Sequence, residues 1–307
     1  MTIHPSWIGI DISKHHLDIF DGGCSLRIAN DAAAIAAFVD SLAGREVRVL
    51  FEATGRYDRA LGDGLAAAAI AYVRVNPRRA RAFAEAAGFL AKTDRVDARM
   101  LAAMGEAMPD QPAPADDPDR RRLADLNKRR DQLVAMRKQE RTRLAELTGD
   151  LRAGLEDHVA WLDHAITVVE QMIRDLIAAC RQLSHGHNLI RSAPGIGPVA
   201  ATTLLALMPE LGQRSAKTIA ALAGLAPYAA DSGRHHGKRR IRGGRRRVRD
   251  ALYMSAVAAA RYHPRFRTFY RGLRDAGKPA KVAFIAVARK LLVIINAMMR
   301  SQTPFRA

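Results

Sequence analysis

Four acidic residues have the types and positions to bind a cation together. Asp11 and Glu52 each stand at the end of a short apolar run rich in β-branched residues, which predicts that each ends a buried strand. Asp94 and Asp97 are three residues apart and lie on one face of the helix predicted to begin at Thr93 or Asp94. Because α/β sheets bind ligands at the edge where strands end, we expect these four carboxylates to converge.

Four converging carboxylates repel each other strongly unless cations lie between them. Ligands that offer only oxygen atoms to a site beside a phosphate favour Mg²⁺, for which Mn²⁺ can substitute. Two such ions about 4 Å apart can activate the attacking oxygen and stabilise the leaving one. For any one of these acids, a helix cap or a surface charge is the commoner explanation, but the joint pattern favours a two-metal site.

Ser232 is the second candidate for chemistry, in a stretch at 227–249 that cannot form one regular helix. No acid follows it until Asp250, and the cations in between are Arg234, Lys238, Arg239, Arg240, Arg242, Arg245, Arg246, Arg247 and Arg249. A basic loop punctuated by glycine is a surface for phosphate. Two interpretations stay open from this stretch alone. Ser232 is a turn residue within a nucleic-acid contact, or it is a nucleophile held against a DNA phosphate.

The elements that must position these residues fall into three predicted domains. Alternating strand and helix patterns over residues 1–112 predict an α/β domain with a mixed sheet, which the Pro- and Asp-rich stretch at 109–118 ends. Residues 113–185 predict a helical connector, interrupted at 149–154. Its apolar positions from Leu162 to Leu183 are spaced alternately four and three apart, as in a coiled coil. This seam fits either an antiparallel helix pair within one chain or dimerisation.

Residues 186–307 predict a helical C-terminal domain. The Pro-Gly-Ile-Gly turn at 194–197 lies between two apolar helices, which is the pattern of a helix–hairpin–helix. In such a hairpin Gly195 and Gly197 would let backbone N–H groups face a phosphate, although the same turn also occurs in purely structural hairpins. Further helices are predicted at 215–223, 248–261 and 278–299.

The composition favours a polyanionic partner. The chain has 49 Lys and Arg against 31 Asp and Glu, a net charge of +18, which points to DNA or RNA. Cys24 and Cys180 belong to no CxxC pair, so no disulfide framework or zinc site is indicated and a cytoplasmic location is expected. The first residues lead straight into a strand, which argues against a signal peptide. The apolar run at 282–299 contains Arg289 and Lys290, which argues against a membrane span.

Three short motifs carry a family resemblance. GIDISK at 9–14, FEATG at 51–55 and KTDRVDA at 92–98 resemble the acidic motifs of the DEDD transposases of the insertion-sequence one-ten family. The resemblance implies a first domain similar to the RuvC Holliday-junction resolvase and to ribonuclease H. It also implies a metal-binding tetrad formed by Asp11, Glu52, Asp94 and Asp97.

The last third of the chain is similar to the C-terminal domain of the same family. GLAPY at 224–228, an SG pair at 232–233 and ALYMSA at 251–256 follow one another in the family's order, so the resemblance spans nearly the whole chain. It implies Ser232 as the nucleophile. The basic run ends in an unusually Arg-dense segment, which leaves the exact phosphate contacts open.

The resemblance and the residues together predict a recombinase that cuts donor and target double-stranded DNA and rejoins the strands. The carboxylates would hold Mg²⁺ at the scissile phosphate while Ser232 attacks it and forms a covalent phosphoserine. What the resemblance adds is a structured guide RNA encoded by the mobile element. Because a long connector separates the acids from Ser232, we expect a homo-oligomer, a dimer or a dimer of dimers, acting at the bacterial nucleoid.

Three other classes of protein compete with this interpretation. A structure-selective RuvC-like nuclease would cleave without serine-linked rejoining. A sugar-kinase or actin-like ATPase would use GIDIS as a phosphate loop, but the chain lacks an evident second phosphate motif. A non-catalytic nucleic-acid-binding protein would not need four acids in this order.

Overall fold

The protein forms two compact units, Met1–Asp116 and Asp117–Ala307. A computed structural model describes residues 6–89, 93–108, 117–229, 231, 237 and 239–306. The predicted boundary between residues 112 and 113 lies outside the described residues, and the division into three domains stays a prediction.

The first unit is a mixed α/β domain with a five-stranded sheet in the order β3-β2-β1-β4-β5. The two neighbours of β1 differ, because β2 pairs with it in antiparallel and β4 in parallel fashion. The strands are β1 Ser6–Ile12, β2 His16–Asp21, β3 Cys24–Ala29, β4 Val47–Glu52 and β5 Ala71–Val75. The predicted mixed sheet is thus confirmed. The sequence interpretation missed β3 because most of its side chains are exposed, so no apolar run marks it.

Helices cover both faces of this sheet. They are α1 Ala32–Ser41, α2 Arg59–Ala67, α3 Pro77–Ala86 and α4 Asp94–Ala107. On one face, α1 and α2 pack on a core that contains Ile8, Ile10 and Phe51. On the other, α3 and α4 pack on Trp7 and Leu50. The caps follow the sequence signals, since Asp31 accepts a hydrogen bond at the start of α1 and Thr93 accepts one at the start of α4.

The closest approach in the first unit is between α4 and β1. A Cβ added at Gly9 would overlap the carbonyl oxygen of Ala98 and the backbone nitrogen of Ala102. One turn further along α4, a Cβ added at Gly105 would overlap the indole ring of Trp7. Trp7, Gly9 and Asp11 alternate along β1 and therefore point to the same face of the sheet. The lack of side chains at the two glycines lets α4 run directly along this face.

The second unit is helical and begins with an antiparallel pair. These helices are α5 Pro118–Leu144 and α6 Gly149–Ala179. The connection between them therefore lies at 145–148, whereas the sequence predicted an interruption at 149–154. Leu133, Leu162 and Ile166 form a small core between them. Their edges carry ion pairs that include Arg130–Glu170 at 2.7 Å. The residues of the predicted seam therefore serve packing within one chain.

The predicted seam does not run along a single helix. At Cys180 the backbone leaves the helical region, with φ −104° and ψ 110°, and Leu183 lies on the next helix. The remaining helices are α7 Arg181–Arg191, α8 Pro198–Leu207, α9 Ala216–Leu222, α10 Arg246–Tyr262, α11 Pro264–Asp275 and α12 Ala280–Ser301. A short strand pair, β6 Pro227–Tyr228 and β7 Arg240–Ile241, lies between α9 and α10. The sequence interpretation missed α11 and this strand pair.

The C-terminal helix α12 lies at the centre of the second unit's core. Within the described residues it is the one helix whose length and apolar composition would suffice to cross a membrane. However, Val287, Leu291 and Ile295 are fully buried against the other helices of the unit. The sequence predicted a buried or partner-facing helix at 282–299, and these three residues of α12 pack in the core of the unit.

Substitution of Gly9 tests the α4–β1 contact. Gly9→Ala should lower the free energy of unfolding by about 3 kcal/mol or more, because the new methyl group meets backbone atoms that cannot rotate away. Chemical denaturation measures the change, and hydrogen exchange should show loss of protection in α4. Gly62→Ala is the matched control, since the nearest neighbour of its Cβ is the Tyr72 hydroxyl at 3.7 Å and helix propensity favours alanine. Equal effects of the two substitutions would contradict the argument.

Candidate active site

Strand pairing places charged side chains in one row across the sheet. Asp18 on β2 pairs with Asp11 on β1, and Arg27 on β3 pairs with Asp18. On the other side of β1, the parallel register joins Ile10 to Phe51, so the next residues, Asp11 and Glu52, are also neighbours. Residues paired in this way point to the same face of a sheet. The structure thus brings the two predicted strand-end acids side by side, on the face that α4 covers.

The first turn of α4 adds the other two predicted acids to this row. Because α4 lies against Gly9, its N-terminal residues Asp94 and Asp97 reach the end of β1, where Asp11 stands. Burial, followed by the charges of Asp97, Asp94 and Asp18, raises the pKa of Asp11 to about 6. Asp11 therefore lies among negative charges from three other residues, which come together only in the folded chain.

Arg27 links the row to α4. Its guanidinium donates to both carboxylate oxygens of Asp18, through Nε to Oδ1 at 2.9 Å and through Nη2 to Oδ2 at 2.9 Å. The same Nη2 donates to Oδ2 of Asp94 at 2.8 Å. The side chain of Asp18 is almost completely buried, with 5% of its surface exposed, whereas 60% of the Asp94 side chain is exposed.

The carboxylates suit a hard divalent cation by their chemistry. They offer only oxygen ligands, and a cation among them would relieve the repulsion that raises the pKa of Asp11. Within the described ranges, no three His, Cys, Asp or Glu side chains lie close enough together to hold a metal ion as they stand. Binding an ion would therefore require some of these carboxylates to move closer to one another.

Two polar contacts fix the loops that follow β1 and β4. Asn30 donates through Nδ2 to the carbonyl of Ser13 at 2.8 Å and to the carbonyl of Tyr57 at 3.1 Å, which ties the two loops together. Below the second loop, the fully buried Asp58 side chain pairs with Arg74 at 2.7 Å. These contacts hold the backbone that follows Asp11 and Glu52.

The predicted serine loop starts and ends at the β6–β7 pair. Ser232, Arg234 and Lys238 lie outside the described residues. The ends of the loop are held by backbone packing, because a Cβ added at Gly244 would overlap the backbone of Gly224. Gly244 therefore serves packing within the chain, where the sequence suggested close approach to a partner.

Arg249 donates to the carbonyl of Gly243 at 2.8 Å, and the other described cations of this region fall into two groups. Arg245 pairs with the buried Glu210 through two contacts of 2.6 Å, and Arg247 pairs with Asp131 at 2.6 Å. Burial acts to raise the pKa of Glu210, but the hydrogen bonds and charge of Arg245 hold it below its usual value. The residues of the second group are exposed, namely Arg239, Arg240, Arg242 and Arg246. In this second group Arg242 also lies over the ring of Tyr228, at 5.7 Å from its centroid.

The two glycines in the turn between α7 and α8 have different surroundings. A Cβ at Gly195 would overlap the carbonyl oxygen of Ser255 on α10, so this glycine allows close helix packing. Gly197 precedes α8 and faces open space. Of the two predicted phosphate contacts, Gly197 is the one whose surroundings leave room for a ligand.

The sequence interpretation did not single out Asp18 or Arg27. Part of the signal was present, because a hairpin whose two turn residues are Lys14 and His15 pairs position 11 with position 18. Reading it requires the register of the strands, since a lone Asp in an apolar strand carries no pattern of its own.

Both halves of the chain match known protein families. Residues 8–148 match a family model of DEDD transposases, and residues 187–271 match one described as the transposase IS116/IS110/IS902 family. The chain is 30% identical to the pilin gene-inverting protein of Moraxella bovis and 32% identical to that of Moraxella lacunata. Each alignment covers 98% of this chain and 97% of the relative. An uncharacterized 42 kDa protein of insertion element IS900 from Mycobacterium paratuberculosis is 34% identical over 52% of this chain and 40% of its own length.

The raised pKa of Asp11 predicts a pH-dependent effect on stability. Its pKa is about 6 in the folded protein and about 3.9 in an unfolded chain, so the folded state binds more protons between these values. This contribution to stability is present below pH 4 and is lost as the pH rises through 6. Asp11→Asn should therefore raise the melting temperature by a few degrees at pH 7.5 and leave it nearly unchanged at pH 4.

Melting curves of both proteins across this pH range measure the effect. Asp40→Asn, on the exposed side of α1, is the control and should reproduce the wild-type curve. A pH-independent difference between Asp11→Asn and the wild type would contradict the prediction.

Proposed function

Because this chain belongs to the IS116/IS110/IS902 transposase family, whose members cut and rejoin DNA, we propose that the carboxylate row of its first unit is the metal-dependent cleavage site. The observation that carries the proposal is the crowding of Asp97, Asp94 and Asp18 around Asp11, whose pKa is raised to about 6 by burial first and by these three charges second. Such crowding destabilises the fold and is typical of sites that bind a cation or transfer protons.

Asp11, Glu52, Asp94 and Asp97 would hold the metal. DEDD-type transposases generally use divalent metal ions, and we propose two Mg²⁺ ions, with Mn²⁺ as a substitute. When bound, such ions polarise the scissile phosphate and stabilise the charge that develops on its oxygens. The residues of this chain would supply the ligands.

Ser232 is the proposed nucleophile for cleavage. Its Oγ would form a bond to the phosphorus and lose its proton, while the phosphorus–oxygen bond to the neighbouring nucleotide breaks and leaves a strand with a free hydroxyl. Attack by the hydroxyl of another strand would reverse the step and restore the serine. This route rejoins strands without ATP, because the phosphodiester energy stays in the phosphoserine. A nuclease that uses water in place of Ser232 is the second candidate, favoured by the carboxylate row taken alone.

The partners follow from the same family and from the charge of the chain. We propose that donor and target double-stranded DNA bind, guided by a structured RNA, and that DNA inversion is one outcome, as the names of the two Moraxella relatives suggest. A net charge of +18 suits both nucleic acids. We further propose a dimer or dimer of dimers in which the carboxylates of one subunit act with Ser232 of another.

Two variants separate the proposed roles of the acids and the serine. Asp11→Asn should abolish strand cleavage while DNA binding persists, because it removes a metal ligand. Ser232→Ala should abolish both cleavage and the covalent protein–DNA adduct. Denaturing gel electrophoresis of labelled DNA detects cleavage and adduct together. Asp40→Asn is the control and should cleave normally. Cleavage by Ser232→Ala without an adduct would support the water-using nuclease, and wild-type cleavage by Asp11→Asn would remove the metal site.

Two neighbouring arginines test which cations contact phosphate. Arg246 is 84% exposed and has a 3.6 Å contact with the exposed Asp250, whereas Arg247 pairs with Asp131 at 2.6 Å and donates to the carbonyl of Asn127 at 3.0 Å. Arg246→Gln should reduce the slope of log affinity against log salt by about 0.9, the value for one lost phosphate contact on B-form DNA. Arg247→Gln should mainly lower the melting temperature. Binding titrations at several salt concentrations measure the slopes. A larger slope change for Arg247→Gln would show that its ion pair opens when DNA binds.

A further inference from the structure

We infer that Arg27 is a positioning residue of the carboxylate site, which holds the Asp94 carboxylate beside the end of β1 so that one of its oxygens remains available to a cation. The inference rests on the proposed metal site and names a residue outside the four acids. Arg27 itself touches neither substrate nor metal in this account. It acts through Asp94.

The hydrogen bonds connect the buried Asp18 to Arg27, and Arg27 to the exposed Asp94. The buried Asp18 carboxylate receives two hydrogen bonds from Arg27, which fixes the plane of the guanidinium. With that plane fixed, Nη2 is aimed at Oδ2 of Asp94 at 2.8 Å. Oδ2 is thereby occupied, and among the described residues Oδ1 of Asp94 makes no hydrogen bond or ion pair, so it can face a ligand. Metal-binding carboxylates are commonly oriented by such outer hydrogen bonds.

Stability alone explains one of the two contacts of Arg27. The contact to Asp18 pairs a nearly buried charge, and its loss would leave that charge unpaired. The contact to Asp94 joins two side chains that are 49% and 60% exposed, and pairs so open to solvent contribute little to stability. A contact of so little energetic value, placed at a proposed ligand, is better explained by orientation.

Charge must be kept constant in the test, because removing Arg27 alone would leave Asp18 unpaired and make the site more negative. The double variant Asp18→Asn/Arg27→Gln replaces the ion pair with two amides and leaves the net charge unchanged. The matched control is Asp21→Asn/Arg45→Gln. It removes another two-contact pair that also involves β2, with distances of 2.8 and 2.9 Å, at the strand's other end.

Mn²⁺ binding to the full-length protein without nucleic acid provides a readout other than activity. Electron paramagnetic resonance of free Mn²⁺ gives the dissociation constant, and Mg²⁺ competition identifies the shared site. We expect the double variant to bind Mn²⁺ about 10-fold more weakly or worse, as for other outer-shell partners, and the control to bind like the wild type. Circular dichroism establishes that each variant is folded.

The outcomes separate this inference from the proposed function. Wild-type affinity in the folded double variant, or tighter binding, would overturn the role of Arg27 alone. Absence of Mn²⁺ binding in the wild type would overturn the metal site and this inference with it. If the double variant does not fold, Arg27→Lys decides the question. Lysine keeps the positive charge, but its ammonium group cannot bridge both carboxylates as the planar guanidinium does. Mn²⁺ affinity should therefore still fall, and unchanged affinity would overturn the inference.

Discussion

The contact between Gly9 and the backbone of α4 is the constraint on which the first unit depends. No side chain separates strand from helix there, so the helix axis lies as close to the sheet as backbone atoms permit. That approach brings the acids of the first turn of α4 to Asp11. These neighbouring charges, together with burial, raise the pKa of Asp11 and so destabilise the folded state at neutral pH. The packing of Trp7 and Leu50 on α4 offsets part of this cost.

Much of the first unit could be predicted from the sequence because its signals are local. Apolar runs mark β1, β4 and β5, and Thr93 marks the start of α4. Features that depend on pairing were harder to find. Asp18 and Arg27 acquire meaning only through the register of three strands, and the exposed β3 offers no apolar pattern. The ligand roles of the four acids remain predictions, although their placement in one region agrees with them.

In the second unit, the sequence showed a dense run of cations but not how they divide. Arg245 and Arg247 face acids that lie 35 and 116 residues away in sequence, on segments that fold together only in the tertiary structure. A sequence pattern could not identify such partners. Part of the large positive charge therefore stabilises the ends of the loop, and the exposed remainder, including Arg246, is available to nucleic acid. The apolar seam had the same ambiguity, and its residues pack against other helices of the second unit.

The α4–β1 contact also limits how the length of this protein can change. Two residues along a strand span about 6.7 Å, and four residues along a helix span about 6 Å, so Trp7, Gly9 and Asp11 meet successive turns of α4 in step. One residue inserted between Gly9 and Asp11 would turn the acid to the opposite face of the sheet. One residue inserted in α4 before Ala98 would rotate Asp94 and Asp97 by about 100°. Insertions and deletions in related chains should therefore avoid these two segments and accumulate in the connections between elements.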